Sequence, residues 1–198
     1  KADMLSLFAL KNPDNGLAFL KQIYQLKPSS DLIPTLVVRE INKYEERYLT
    51  PLIGKEYNTG ILGISYYYQY SGKETDSLLR KEKPELNAFI EFVSNLSKDS
   101  KVKDPALMQL SAAYGAYILR VYNKADSFLA PLKTAKLNDR LRDQLMLTNL
   151  LVQISAREKI DAAFEEKILP SLKWLYSKAV KNEKEKGETA DGDVPFCV

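Results

Sequence analysis

DPALMQLSAAYGAYILRVYNKADSFLAPLKT, residues 104–134, is the stretch that decides the fold. Asp104-Pro105 reads as a helix start, an N-cap followed by a proline whose missing N–H costs nothing in the first turn. Leu107, Leu110, Tyr114, Tyr117, Val121, Phe128 and Leu132 then form a stripe compatible with one long helix, ended by Pro131 and Thr134. Gly115 sits inside that run, beside Ala113 and Ala116. A mid-helix glycine costs about 1 kcal/mol relative to alanine, and close approach of a second helix is the usual compensation.

The next segment repeats the pattern. Asn138 or Asp139 can start a last long helix over 138–180, carried by Leu141, Leu145, Leu151, Ile154, Ile160, Phe164, Ile168, Leu172 and Leu175, with Pro170 kinking or splitting it. The two long helices are expected to form an antiparallel hairpin, with shorter N-terminal helices packed across it. No β-hairpin signal and no internal repeat is present, so the fold class is mainly α: a helical bundle with a long antiparallel helix pair, short N-terminal helices and an extended C-terminal tail.

Working back towards the start, Asn12 to Gly16 is a turn cluster. Leu17, Leu20, Ile23 and Tyr24 share one helical face, and Lys27-Pro28-Ser29-Ser30 ends that helix. Ser30 or Asp31 can cap the next, with Pro34 in its first turn. There Ile33, Val37, Ile41, Tyr44 and Tyr48 recur at the helical period. Arg39, Glu40, Lys43, Glu45, Glu46 and Arg47 between them read as a solvated face. Pro51 interrupts this helix, and a short one can restart over 51–61. Residues 64–84 read as a long loop or weak helix. Leu86, Phe89, Ile90 and Val93 then mark a helix over 84–96, followed by a polar break over 94–104. After Val180 the apolar pattern stops. The chain therefore divides into a helical body, 1–181, and a flexible or partner-docked arm, 182–198.

Composition narrows function by exclusion. The chain has 198 residues and 45% apolar content, enough for one folded, soluble domain with a real core. No apolar run approaches the roughly 20 residues that span a bilayer. It opens at Lys1 rather than Met, compatible with a trimmed or processed start. There is no histidine, which removes His-based nucleophile systems and His-ligated metals, and the single cysteine, Cys197, removes an internal disulfide framework. Net charge is +3; residues 182–198 carry two lysines against five acids, so the body is mildly basic and the arm acidic. Specific nucleic-acid binding normally needs a more concentrated basic stripe.

The remaining constellations read as structural or interfacial. The pairs Glu45-Glu46 and Glu165-Glu166 point about 100° apart on a helix and read as surface positions. Gly54, Gly60 and Gly63 match no phosphate-loop spacing. Tyr66, Tyr67, Tyr68 and Tyr70 fit three roles: a protein interface, loop or core packing, or ligand stacking. Val194, Phe196 and Val198 alternate as a strand would, and behind an acidic spacer they suit a docking arm that adds a strand to a neighbour; disorder is the alternative. No catalytic, cofactor-binding or metal-binding residue is assigned.

Residues 44–62, YEERYLTPLIGKEYNTGIL, carry a family resemblance. Tyr44, Glu45, Tyr48, Leu49, Pro51, Leu52, Ile53, Gly54 and Tyr57 form a helix–proline–glycine elbow that resembles the head–tail connector (adaptor) proteins of tailed phages and prophages. The elbow covers about a tenth of the chain, and the order of helices fits more broadly. The resemblance implies a non-enzymatic virion protein with no cofactor, at the portal vertex, assembled in the host cytoplasm. It implies copies joined in a ring, typically a dodecamer, beneath the portal protein. Such a ring extends the DNA channel, makes transient non-specific contact with the genome, and offers a platform to further connector or tail proteins, with no membrane involved. The chain departs from the pattern in the 64–84 insertion and the 182–198 extension. A generic helical protein–protein interaction domain without a viral role is the alternative.

Overall fold

The protein is described from a computed structural model, which covers residues 1–11, 16–49 and 72–188. The turn over 12–15, the elbow residues Pro51, Gly54 and Tyr57, the restart over 51–61, the tyrosine cluster at 66–70 and the apolar tip at 194–198 lie outside the described residues. Those described are mainly α, with no strand among them. The helices are α1 (Ala2–Lys11), α2 (Gly16–Leu26), α3 (Leu32–Tyr48), α4 (Gly72–Leu96), α5 (Pro105–Ile118), α6 (Tyr122–Leu129), α7 (Asp139–Ser155) and α8 (Ala162–Glu188), with a 3₁₀ turn at Ala130–Thr134.

The α5 helix is central because it is apolar on nearly every side, the signature of a helix with no solvent face. Met108, Ala112, Ala113 and Ala116 are wholly buried. It packs on α3, α4, α6 and α7. Gly115 explains how closely. A methyl group there would lie 2.8 Å from Ile90 Cγ1 of α4 and 3.6 Å from Ile41 Cδ1 of α3. The close helix approach inferred from this glycine is present, on two sides at once.

The apolar stripes of α3 and α4 face this centre. Ile33, Val37, Ile41, Tyr44 and Tyr48 are buried, as are Leu86, Phe89, Ile90 and Val93. At the N-terminal end, α1 packs on α2 and α3. Leu17, Leu20 and Ile23 are buried, and the Tyr24 hydroxyl donates to Asp99 Oδ2 at 2.5 Å. The guanidinium of Arg39 reaches back to the Ala9 carbonyl.

Helix boundaries differ from the sequence reading at four places. The run over 104–134 breaks at Leu119–Val121. Arg120 adopts φ 60°, Arg120 N–H bonds Tyr117 O at 2.8 Å, and Val121 N–H bonds Ala116 O at 2.9 Å. This is a Schellman ending with arginine in the position normally held by glycine, and it leaves Val121 exposed. Asp104 starts α5 but from a left-handed conformation, φ 53°, with no side-chain capping bond.

The run over 138–180 divides at Ala156–Asp161, not at Pro170, which lies within continuous α8. Asp161 is the reason: its Oδ1 accepts from Phe164 N–H at 2.8 Å and its carbonyl from Glu165 N–H at 2.9 Å, an N-cap that begins a new helix. Pro170 and Glu166, whose carbonyl it leaves without an intrahelical partner, are both exposed, so water can serve that carbonyl. The expected hairpin is therefore built from four pieces, in which α7 folds back on α5 and α6. Helix α4 extends through Pro84 back to Gly72, so the weak-helix reading of 72–84 describes it. Helix α8 continues to Glu188, past the end of its apolar pattern.

Candidate interaction surfaces

Helix α3 carries the acidic groups most removed from water, and they are not the solvated face that their residue types suggest. Glu40 is 4% exposed. Its carboxylate lies against Gly16, the first residue of α2, and accepts from Lys43 Nζ at 2.8 and 3.0 Å. Helix N-termini attract anions, so Glu40 and Lys43 tie α3 to the start of α2. Burial raises the Glu40 pKa, and Lys43 works in the opposite direction.

Glu46 is buried too, with Oε1 lacking a hydrogen-bond partner, and burial raises its pKa. Half-buried Glu45 is likewise raised by burial, against a hydrogen bond from Tyr114. The Tyr114 pKa is pushed far up, first by burial and then by the Glu45 charge. Tyr117 is also raised by burial, against a hydrogen bond with Ser155. Tyr117 stacks on Tyr114, with centroids 5.7 Å apart, and leans on Tyr122 at 6.2 Å. These tyrosines stay neutral at physiological pH and act as packing groups with hydrogen-bonding ends.

Two of the elbow residues can be placed. Tyr44 and Tyr48 are buried and stacked, with centroids 6.3 Å apart and planes 10° from parallel. Tyr44 also meets Phe89 of α4 at 5.3 Å. This end of α3 is thus locked to α4 by aromatic packing before the chain reaches Pro51. Glu165 and Glu166 are exposed, as surface positions should be, whereas Glu45 and Glu46 are not. Among the described residues no group of three acidic or cysteine side chains gathers to hold a metal ion. No described helix is long and apolar enough to cross a membrane.

No match to this chain was found among protein families, curated proteins or solved structures.

The surface itself carries the functional information. At the N-terminal end, Met4, Leu7 and Phe8 of α1 and Leu26 of α2 are 72, 58, 58 and 48% exposed. Between these helices runs a groove of about 550 Å³. At the C-terminal end, Leu169, Leu172, Leu175 and Tyr176 of α8 are exposed, with Ile160 just before it. Around the helix, Leu169, Leu172 and Tyr176 fall within about 60° of one another, and Leu175 widens the arc to about 120°. Ile160, Leu172 and Leu175 read as core positions in the sequence. The core instead claims only Phe164 and Ile168 of α8, which join Leu150 and Ile154 in a small cluster separate from the main one. Each apolar face leaves on the order of 500 Å² open, towards the upper end of what a monomer ordinarily exposes. Neither face was assigned from sequence. A helix whose apolar arc is wider than one neighbour can cover was the signal available on α8.

Proposed function

We propose that this chain is a structural assembly subunit of the head–tail connector type, which joins copies of itself in a ring below a portal protein. The observation that carries the reading is the pair of non-identical apolar faces. One lies on α1 and α2, which pack on α3; the other lies on α8, which packs on α7. Two different faces on one chain suit head-to-tail contact, in which the end of one copy meets the other end of the next, and such contact closes into a ring when its rotation permits. The family resemblance of residues 44–62 supplies the class. In that class the ring is typically a dodecamer at the portal vertex of the virion, extends the DNA channel and holds further connector or tail proteins. A net charge of +3 suits transient, non-specific contact with a passing genome. No catalytic residue or cofactor enters this account.

The test is particle mass. Full chain should form a closed oligomer alone or on a portal ring, and Leu172→Glu with Tyr176→Glu should return it to single copies while its helicity is retained. A chain that stays single in both settings, yet captures another partner through the α8 face, would establish the generic interaction domain instead.

A further inference from the structure

We infer that the groove between α1 and α2 receives residues 189–198 of a second copy of this chain, with Val194, Phe196 and Val198 on its apolar floor. The inference rests on the assembly reading above and names the contact that links neighbours. Met4, Phe8 and Leu26 line the groove, with Lys1, Gln22 and Gln25 at its edge. Lys21 lies one turn before Gln25 on the same side of α2, and Lys27 follows Leu26; both are exposed. Asp3, 3.8 Å from Lys27, is the acid on this rim. Floor and rim therefore call for a short peptide that is apolar at its tip and acidic before it.

Residues 189–198, TADGDVPFCV, have that composition: Asp191 and Asp193 precede the apolar tip, and no basic residue is present. In an extended segment Val194, Phe196 and Val198 share one side, and Pro195 suits a conformation that needs no N–H donor there. A groove of about 550 Å³ lies within the ordinary range for a site of this kind. No strand exists among the described residues to accept strand addition, so side chains entering a helical groove replace the strand pairing anticipated from the alternation.

Reach favours a second copy. Contacts of Phe164 and Ile168 with Leu150 and Ile154, and of Lys178 Nζ with Asp143 at 2.6 Å, set α8 antiparallel to α7. From Lys178 to Glu188 helix α8 rises roughly 15 Å, whereas α7 extends only about 6 Å beyond Asp143 to its start at Asp139. The end of α8 thus projects past the helix that supports it, and ten further residues reach roughly 33 Å when extended.

Cys197 gives a direct test in the full chain. Copies bearing Cys197 are mixed with copies carrying Gln25→Cys and Cys197→Ser, then treated with a short bismaleimide. The expected result is a bridged pair of chains, formed about tenfold faster than with Glu91→Cys, an exposed control on α4, because docking raises the local thiol concentration. Phe196→Asp should remove that advantage. Equal bridging at positions 25 and 91, bridging indifferent to Phe196→Asp, or bridging confined to single chains that carry both thiols would overturn the inference. Particle mass on the same samples separates the two readings. A ring that persists with Phe196→Asp and no bridge sinks the docking alone. Bridging in particles that never exceed a pair supports the docking and sinks the ring.

Discussion

Replacing Gly16 with alanine should destabilise the fold sharply, although alanine is ordinarily the better helix residue. A Cβ built at Gly16 falls within the Glu40 carboxylate. That carboxylate is 4% exposed and held by two bonds from Lys43, at 2.8 and 3.0 Å, so it cannot swing into water without abandoning its partner. Forcing extra volume into packed surroundings costs about 1–3 kcal/mol. Disturbing a charge-assisted hydrogen bond adds about 1.5–3 kcal/mol. Alanine's conformational advantage returns about 0.5–1 kcal/mol. The net expectation is a loss of about 2–4 kcal/mol, read from urea denaturation followed by circular dichroism. In a Glu40→Ala background the added methyl has room, and Gly16→Ala should then cost less than about 0.5 kcal/mol, a coupling of about 2 kcal/mol or more. A Gly16→Ala protein within about 0.5 kcal/mol of the parent, or strictly additive single and double variants, would refute the proposed contact.

Gly115→Ala should destabilise by about 1–3 kcal/mol despite its better helix propensity, because the new methyl would press on Ile90; a urea midpoint at or above the parent's would contradict this. Arg120→Gly should raise the melting temperature, with a gain of about 0.5–1 kcal/mol from relief of the left-handed backbone, and an unchanged or lower value would show that the arginine side chain offsets the strain. For pH, Glu40, Glu45 and Glu46 all have folded pKa values above their unfolded ones. Their contribution is fully present below the unfolded glutamate value and lost as pH rises through the folded values, so stability should climb as pH falls from 7 towards 5. Asp31 and Asp99 are shifted down, Asp31 first by its hydrogen bond from Lys103 and Asp99 first by that from Tyr24, and their contribution disappears only in more acidic solution. Glu46→Gln should raise the melting temperature at pH 7 and flatten that climb; a loss of stability at pH 7 would show that the charge is satisfied.

Much of the fold was legible because it rests on local patterns. The α3 stripe from Ile33 to Tyr48, the α4 stripe from Leu86 to Val93 and the cap at Asn138, whose Oδ1 accepts from Leu141 N–H at 2.9 Å, follow from helical period and capping chemistry. Gly115 was legible because an unsupported glycine in a helix asks for a neighbour. The breaks were less so. Arg120 occupies a left-handed position that sequence normally marks with glycine. Pro170 drew attention from Asp161, the residue that restarts the helix. Burial of Glu40 depends on Gly16, twenty-four positions earlier, leaving room for a carboxylate. No periodicity encodes such a meeting, and an acid among lysines and arginines on a helix defaults to solvent. Exposure of Leu172 and Leu175 depended on how much apolar arc α7 could cover, a tertiary quantity. Of the sites anticipated from sequence, Tyr44 and Tyr48 are placed, as core residues.

The most direct test of the central claim is electron microscopy of the full chain purified with the portal protein encoded beside it. The account predicts a closed ring of this chain seated on the portal, lost when Leu172 and Tyr176 are both changed to glutamate. Bare portal rings beside single copies of this chain would contradict it.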